Sequence, residues 1–260
     1  MPLAVGVVVV GQVIEGGSIG SLIQATEALI VGGGTLGAVL ISHSPSQVVR
    51  AARAAVDTFF TDDHDAGALA ATLVALAIRG HRQGLASLES ELGGIDDAFM
   101  TTGLALAIDG ASPESITQVL TVEKLAREAD EDAPARVWEA AAGYAPTLGI
   151  LGAVLGLIQA MNHIGTPRAL GSGLAVAFVA TLYGVGAANL ILLPIAGRLR
   201  ERATAAARRR DLICEGLLAI SQRANPRLVV QRLRPLASTT PRVEEVMARL
   251  NALVPVRLSA

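Results

Sequence analysis

Hydrophobic residues fall along this chain in four blocks, separated by long stretches in which apolar and charged positions alternate at helical spacing. The two longest blocks, residues 140–161 and 169–197, contain no Asp, Glu, Lys or Arg. Each exceeds the roughly 20 residues that cross about 30 Å of hydrocarbon at about 1.5 Å per residue. A third block, ALIVGGGTLGAVLIS at 28–42, is shorter, and it extends back to Leu22 if Glu27 faces protein. The fourth, residues 2–14, has the length of a signal-peptide core or a truncated span. No Lys or Arg precedes Val10, and GQVIEGG is a poor cleavage site, so it is read as a first span with a few residues expected upstream.

The blocks pair into two hairpins, with tight connections at EGGSIGSLIQ (15–24) and NHIGTPR (162–168). The pattern therefore predicts an all-α membrane protein: four transmembrane helices in two hairpins plus a helical cytoplasmic domain. The divisions are 1–42 for the first hairpin, 43–139 for a helical loop, 140–197 for the second hairpin and 198–260 for a helical tail. In the loop, Ser44-Pro45-Ser46 opens a helix over 47–60, and a second, Ala/Leu-rich helix covers 67–92. Gly93-Gly94 and Ile108-Asp109-Gly110 are turns. Ser112-Pro113-Glu114 starts a long helix running into the third span. The tail reads as one helix over 197–223, a break at Asn225-Pro226, then shorter helices stopped by Pro235 and Pro241.

Composition sharpens this picture. The chain has 260 residues, 52% hydrophobic but only 3% aromatic, so its apolar content is small and branched aliphatics. Membrane helices pack well with such residues, whereas a soluble core of this size normally uses more rings. Charge is segregated: residues 43–139 hold 7 basic and 16 acidic residues, and 198–260 hold 13 Arg against 5 acids. Segments of opposite sign attract if they share one side of a membrane. Arg198, Arg200, Arg202 and Arg208, Arg209 and Arg210 crowd the end of the last span. The positive-inside rule puts that end, both termini and the loop in the cytoplasm. The basic tail is thus a membrane flank and gives no reason to expect nucleic acid. The single Cys214 excludes an internal disulfide and reads as a buried filler thiol.

Small residues recur at interval four in the spans, at Gly33 and Gly37, Gly152 and Gly156, and Ala180 and Gly184, letting helices approach closely. Pro146 lies inside the third span and Pro194 near the end of the fourth; each removes a backbone hydrogen bond. Pro146 serves as a packing kink or a hinge. Thr147, Gln159, Thr181, Tyr183 and Asn189 are among the polar residues of the last two spans. Ion conduction normally needs an intramembrane carboxylate, and these spans have none, so a partner must supply it. The loop segment Arg79-Gly80-His81-Arg82, followed by Glu89 and Glu91, reads as a solvated helix face. No phosphate loop, metal spacing or nucleophilic triad is present, and neither an enzyme nor a cofactor is expected.

Several passages together resemble the MotA/PomA family of flagellar stator subunits: EGGSIGSLIQATEALIVGGGTLGAVLIS, HRQGLASLE, IDGASPE, AAGYAPTLGILGAVLGLIQAM, GSGLAVAFVATLYGVGAANLILLPIA and CEGLLAISQRANPRLV. The resemblance implies a homo-pentamer in the bacterial inner membrane, in contact with lipid, around two copies of a single-span B-type subunit. That partner carries an ion-binding intramembrane Asp and a peptidoglycan-binding domain, and ion flow turns the ring against a rotor switch protein. By position, Pro146 matches the proline that shapes the channel side of the third span, and Thr181 a polar position facing the partner's Asp. Arg82 and Glu89 match the charged pair that engages the rotor. His81 stands where the family often has Arg, and Ser172 where it often has a second proline. Sodium-type members resemble one another in bearing threonine at the positions of Ala153, Ala180 and Thr181. Two methyl groups there cannot ligate a metal ion, so protons are the expected coupling ion. A related reading is the ExbB/TolQ family of proton channel subunits, which energise outer-membrane processes. A plain membrane scaffold is a third.

Overall fold

A computed structural model describes residues 19–58, 66–162 and 167–237, together with a few isolated positions between 6 and 16 and at 165. Most of the expected first span lies outside these residues, as do Phe60, Pro241 and parts of the two hairpin connections. The described chain is helical throughout. It folds as two compact units, one from Met1–Thr61 and Glu131–Arg202, the other from Asp62–Asp130 and Ala203–Ala260.

The first unit contains a one-turn helix α1 (Ile19–Leu22), then α2 (Ala25–Ser42), which includes a π-helical turn at Leu29–Gly33. Helix α3 (Pro45–Asp57) begins two residues earlier than the sequence predicts, because Pro45 occupies its first turn. Ser44 and Gln47 close a capping box: Ser44 Oγ accepts from Gln47 N at 3.4 Å, and Gln47 Oε1 accepts from Ser44 N at 3.0 Å. Helix α6 (Pro113–Asn162) contributes its C-terminal part. Helix α7 (Pro167–Ala187) continues through a π-helical turn at Ala188–Leu192 into α8 (Leu193–Ser221). The last span and the tail helix are thus one unbroken helix, not two elements meeting at residue 197. The π turn explains why Pro194 does not break it. The N–H of Leu193 reaches back five residues to the carbonyl of Ala188, so the hydrogen-bond ladder is already reset where Pro194 lacks a donor.

Three of these helices are long and apolar enough to cross a membrane, within Ala25–Ser42, Pro113–Asn162 and Gly173–Ser221. Their outward faces are apolar: Ile41 is 90% exposed, Phe178 75% and Leu29 74%. Such a surface suits hydrocarbon or a neighbouring apolar helix, not water. Between α6 and α7 the contact is backbone to backbone. A Cβ on Gly149 would lie 2.9 Å from the Ala180 carbonyl oxygen, and one on Gly184 only 2.6 Å from that of Ala145. A Cβ on Gly156 would lie 3.1 Å from Ala177 N and one on Gly173 2.9 Å from Ala160 Cα, so Gly152 with Gly156 and Ala180 with Gly184 are packing pairs within one chain. A Cβ on Gly37 would meet no atom of the described residues within 4 Å.

Beyond the apolar stretches, α3, α6 and α8 are tied together. Trp138 Nε1 donates to Ala51 O at 3.0 Å, Arg200 pairs with Glu139 at 3.0 Å, and Arg202 donates to Thr58 Oγ1 at 3.1 Å. Ala55, Ala135, Ile195 and Leu199 fill the space between.

The second unit has a conventional core. Helix α4 (Ala66–Gln83) leads into a 3₁₀ segment (Leu85–Gly94), then α5 (Ala98–Ile108), and α9 (Pro226–Ala237) follows α8. The single helix expected over 67–92 is broken at Gly84, whose φ of +87° ends α4 in the left-handed region that glycine tolerates. Pro235, expected as a stop, lies inside α9 near its end. Leu73, Leu88, Phe99, Leu104 and Leu120 of the loop pack with Leu212, Leu217, Val229 and Leu233 of the tail. One core is therefore built from the acidic loop and the basic tail, and the ion pairs Lys124–Asp211 and Arg209–Asp97 join them. Asp97 does double duty: Oδ1 accepts from the N–H groups of Phe99 and Met100 to cap α5, and Oδ2 takes Arg209 at 2.9 Å. The Asp211 carboxylate beside Lys124 holds its ammonium above the usual lysine range. Cys214 is partly buried at the edge of this core, where burial pushes its thiol up to about 11, as suits a filler thiol.

Candidate functional site

The residues assigned to an ion pathway lie along the α6–α7 seam. Ala180 is fully buried, its methyl 3.0 Å from where a Cβ on Gly152 would sit. The next residue on each helix, Ala153 and Thr181, is part-exposed, as is Pro146. The structure thus brings Ala180, and through Gly152 its neighbour Ala153, to one contact, with Thr181 at its margin. Pro146 is held in the uninterrupted α6, one residue after Ala145, whose carbonyl touches Gly184. Thr181 Oγ1 donates to Ala177 O at 3.3 Å and Thr147 Oγ1 to Tyr144 O at 2.7 Å, so both hydroxyls are satisfied by their own helices. Neither is spent on another helix, and each keeps acceptor lone pairs. The side chain of Ser172 is outside the described residues.

Two residues at this seam acquire significance from the structure alone. Tyr183 reaches the break between α1 and α2: its hydroxyl donates to Leu22 O at 2.5 Å and accepts from Gln24 N at 3.1 Å. Left unpaired in apolar surroundings, each backbone group would cost about 1–3 kcal/mol. Glu27 faces protein, as a span beginning before Ala28 requires. It is 3% exposed, and its Oε2 has no hydrogen-bond partner. The sequence signal was its place at the head of an apolar run, which leaves open whether it flanks the span or enters it.

The charged cluster lies in the other unit. Arg82 ends α4 and Glu89 sits in the 3₁₀ segment; both are exposed, and neither forms a hydrogen bond or ion pair with the described residues. Their neighbours are engaged instead. Arg79 pairs with Glu91, and His81 Nδ1 lies 3.0 Å from the carbonyl oxygen of Arg223. The turn at Gly84 selects these partners and leaves Arg82 and Glu89 with free charges. Among the described residues no group of three His, Cys, Asp or Glu side chains is placed to hold a metal ion.

Residues 91–211 match the model of the MotA/TolQ/ExbB proton channel family, and residues 1–79 that of the motility protein A N-terminal region. Motility protein A of Bacillus subtilis is 33% identical over 86% of this chain and 83% of its own. Chemotaxis protein PomA of Vibrio alginolyticus is 29% identical over 92% of this chain and 93% of its own. Among solved structures, the flagellar MotAB stator complex from Bacillus subtilis superposes with a TM-score of 0.84 at 31% identity, covering 94% of this chain and 95% of that one.

Proposed function

The chain belongs to the MotA/PomA family of flagellar stator A subunits, which are channel proteins and not enzymes, and on that premise we propose that it converts proton flow into torque on a flagellar rotor. The observation that carries the reading is the α6–α7 seam. Two apolar stretches without an Asp, Glu, Lys or Arg are held at backbone contact, bordered by Thr181 and Ala153. Such a seam supports ion passage only beside a carboxylate from elsewhere. The solved relative is a complex with a B subunit, and a B-type partner with an intramembrane Asp and a peptidoglycan-binding domain fits this need. The reading is preferred to the ExbB/TolQ alternative because the relatives include motility protein A of Bacillus subtilis and the N-terminal match is to motility protein A.

In this account the chain spans the inner membrane four times, with spans in 1–42 and 140–197, and lies against lipid. Both termini, the loop 43–139 and the tail 198–260 are cytoplasmic. The arginines that follow the last span support that orientation, and the shared core of loop and tail supports their being on one side. Five copies form a ring around the B-type partner. Pro146, Ala153, Ala180 and Thr181 shape the ion path. Arg82 and Glu89, which are exposed and uncommitted, engage the rotor switch protein, an arrangement that fits charges kept free for an external partner. The test is to purify the tagged chain from its own cells in mild detergent and weigh the intact complex by native mass spectrometry. A pentamer carrying a single-span, peptidoglycan-binding partner is expected. A monomer or a partner-free ring would overturn the assignment.

A further inference from the structure

Glu27 is an expensive residue in its place. It lies in α2 two residues before the π-helical turn, 3% exposed, with Oε2 buried and unpaired. Oε2 lies 2.9 Å from the position a Cβ would take on Gly152, and the Ala180 methyl crowds the same point from α7. The carboxyl therefore occupies the space that the missing side chain of Gly152 leaves, at the residues bordering the ion path. Besides the carboxyl, the atoms nearest that point among the described residues are the Ala180 methyl of α7 and Ile30 Cγ2 of α2, and neither residue is titratable. The titratable groups of the α6 and α7 apolar stretches are Tyr144 and Tyr183, and Tyr183 is committed to Leu22 and Gln24. Helix α3, which packs at the other end of α2, carries Arg50, Arg53 and Asp57.

A carboxylate without a cation in such a setting is strongly disfavoured, so the packing described holds the neutral acid. The ionised form requires that water or another polar group enter between α2, α6 and α7. Loss of the proton and opening of the seam are then one event. We propose that Glu27 is a proton-binding residue of this chain, protonated while α2, α6 and α7 are closed and releasing its proton only when the seam opens beside Ala153 and Thr181. The proposal rests on the stator reading and adds to it a protonatable carboxyl carried by the A subunit itself, behind the one its partner supplies.

The test combines two readouts on the complex with its B-type partner. The first is the infrared spectrum of the purified complex labelled with isotopic glutamate. At neutral pH a protonated glutamate carbonyl band is expected, lost in Glu27→Gln and retained at an altered frequency in a Glu27→Asp complex carrying labelled aspartate. The second is swimming speed against external pH in cells whose only A subunit is the variant, with membrane levels of the chain measured alongside. Glu27→Gln is expected to reach the membrane normally and lose rotation, and Glu27→Asp to rotate with a shifted pH profile. If Glu27→Gln fails to accumulate, the wild-type spectrum and Glu27→Asp still decide. No protonated glutamate band in the wild type, or wild-type speed and pH profile in Glu27→Gln, would overturn the proposal. Failure of the wild-type chain to restore swimming to a deletion strain would instead strike the stator reading and leave the infrared result standing.

Discussion

A single methyl group at position 184 tests the packing of the seam. In Gly184→Ala the new Cβ would stand 2.6 Å from the Ala145 carbonyl oxygen and 2.9 Å from Gly149 Cα. Both are backbone atoms of α6, so no side chain can rotate away. Restoring an ordinary contact of about 3.4 Å requires the two helix backbones to part by roughly 0.8 Å there. Overpacking of this kind costs about 1–3 kcal/mol. A gap of that size also forfeits about a quarter to a half of the dispersion energy of each affected contact. The neighbouring contacts at Gly149, Gly156 and Gly173 are among those affected. The control is Gly37→Ala, whose Cβ meets nothing within 4 Å and which gains about 1 kcal/mol of helix propensity. Thermal unfolding of the purified chain in detergent, followed by loss of helical circular dichroism, should show Gly184→Ala clearly less stable than wild type and Gly37→Ala no less stable. Equal stability of Gly184→Ala and wild type would refute the backbone-contact description.

Two further predictions concern the second unit. A single neutral change at Arg82 or Glu89 should alter swimming little, since exposed ion pairs contribute roughly 0–1 kcal/mol each. Reversing both, Arg82→Glu with Glu89→Lys, should abolish swimming at unchanged membrane levels, and normal swimming of the double variant would count against rotor contact. The Cys214 thiol, pushed up to about 11 by burial, should resist alkylation by iodoacetamide at neutral pH in the folded chain and react readily once denatured. The sign follows from the neutral thiol being favoured in the fold: its stabilising contribution is complete below the ordinary thiol pKa and is lost as pH rises through about 11. Rapid alkylation of the native protein at neutral pH would contradict it.

Much of the fold is legible in the sequence because its strongest signals are sums over many residues. The charge-free runs at 140–161 and 169–197 need no tertiary information to be recognised. Ser44 and Ser112 announce helix starts by local chemistry, and each caps a helix, the first opening two residues before the expected position. The break at Gly84 is less legible, because the Ala/Leu period fits one helix across it and the glycine's positive φ is decided by packing of Leu85 and Leu88 onto the core. The same turn decides that Arg79 meets Glu91 and leaves Arg82 and Glu89 free, a choice that spacing along the chain cannot make. The π turns at Leu29–Gly33 and Ala188–Leu192 carry no composition of their own. Glu27 shows the limit most clearly. Its burial depends on the rotation of α2 against Gly152 and Ala180, a relation between residues more than a hundred positions apart.

The central claim, that this chain couples proton flow to rotation, is tested most directly on tethered cells in which it is the only A subunit. Rotation speed is recorded while external sodium is replaced by potassium at constant pH, and then while a protonophore is added. Speed unchanged by sodium removal and abolished by the protonophore is the predicted result. Rotation that stops without sodium and survives the protonophore would contradict the account.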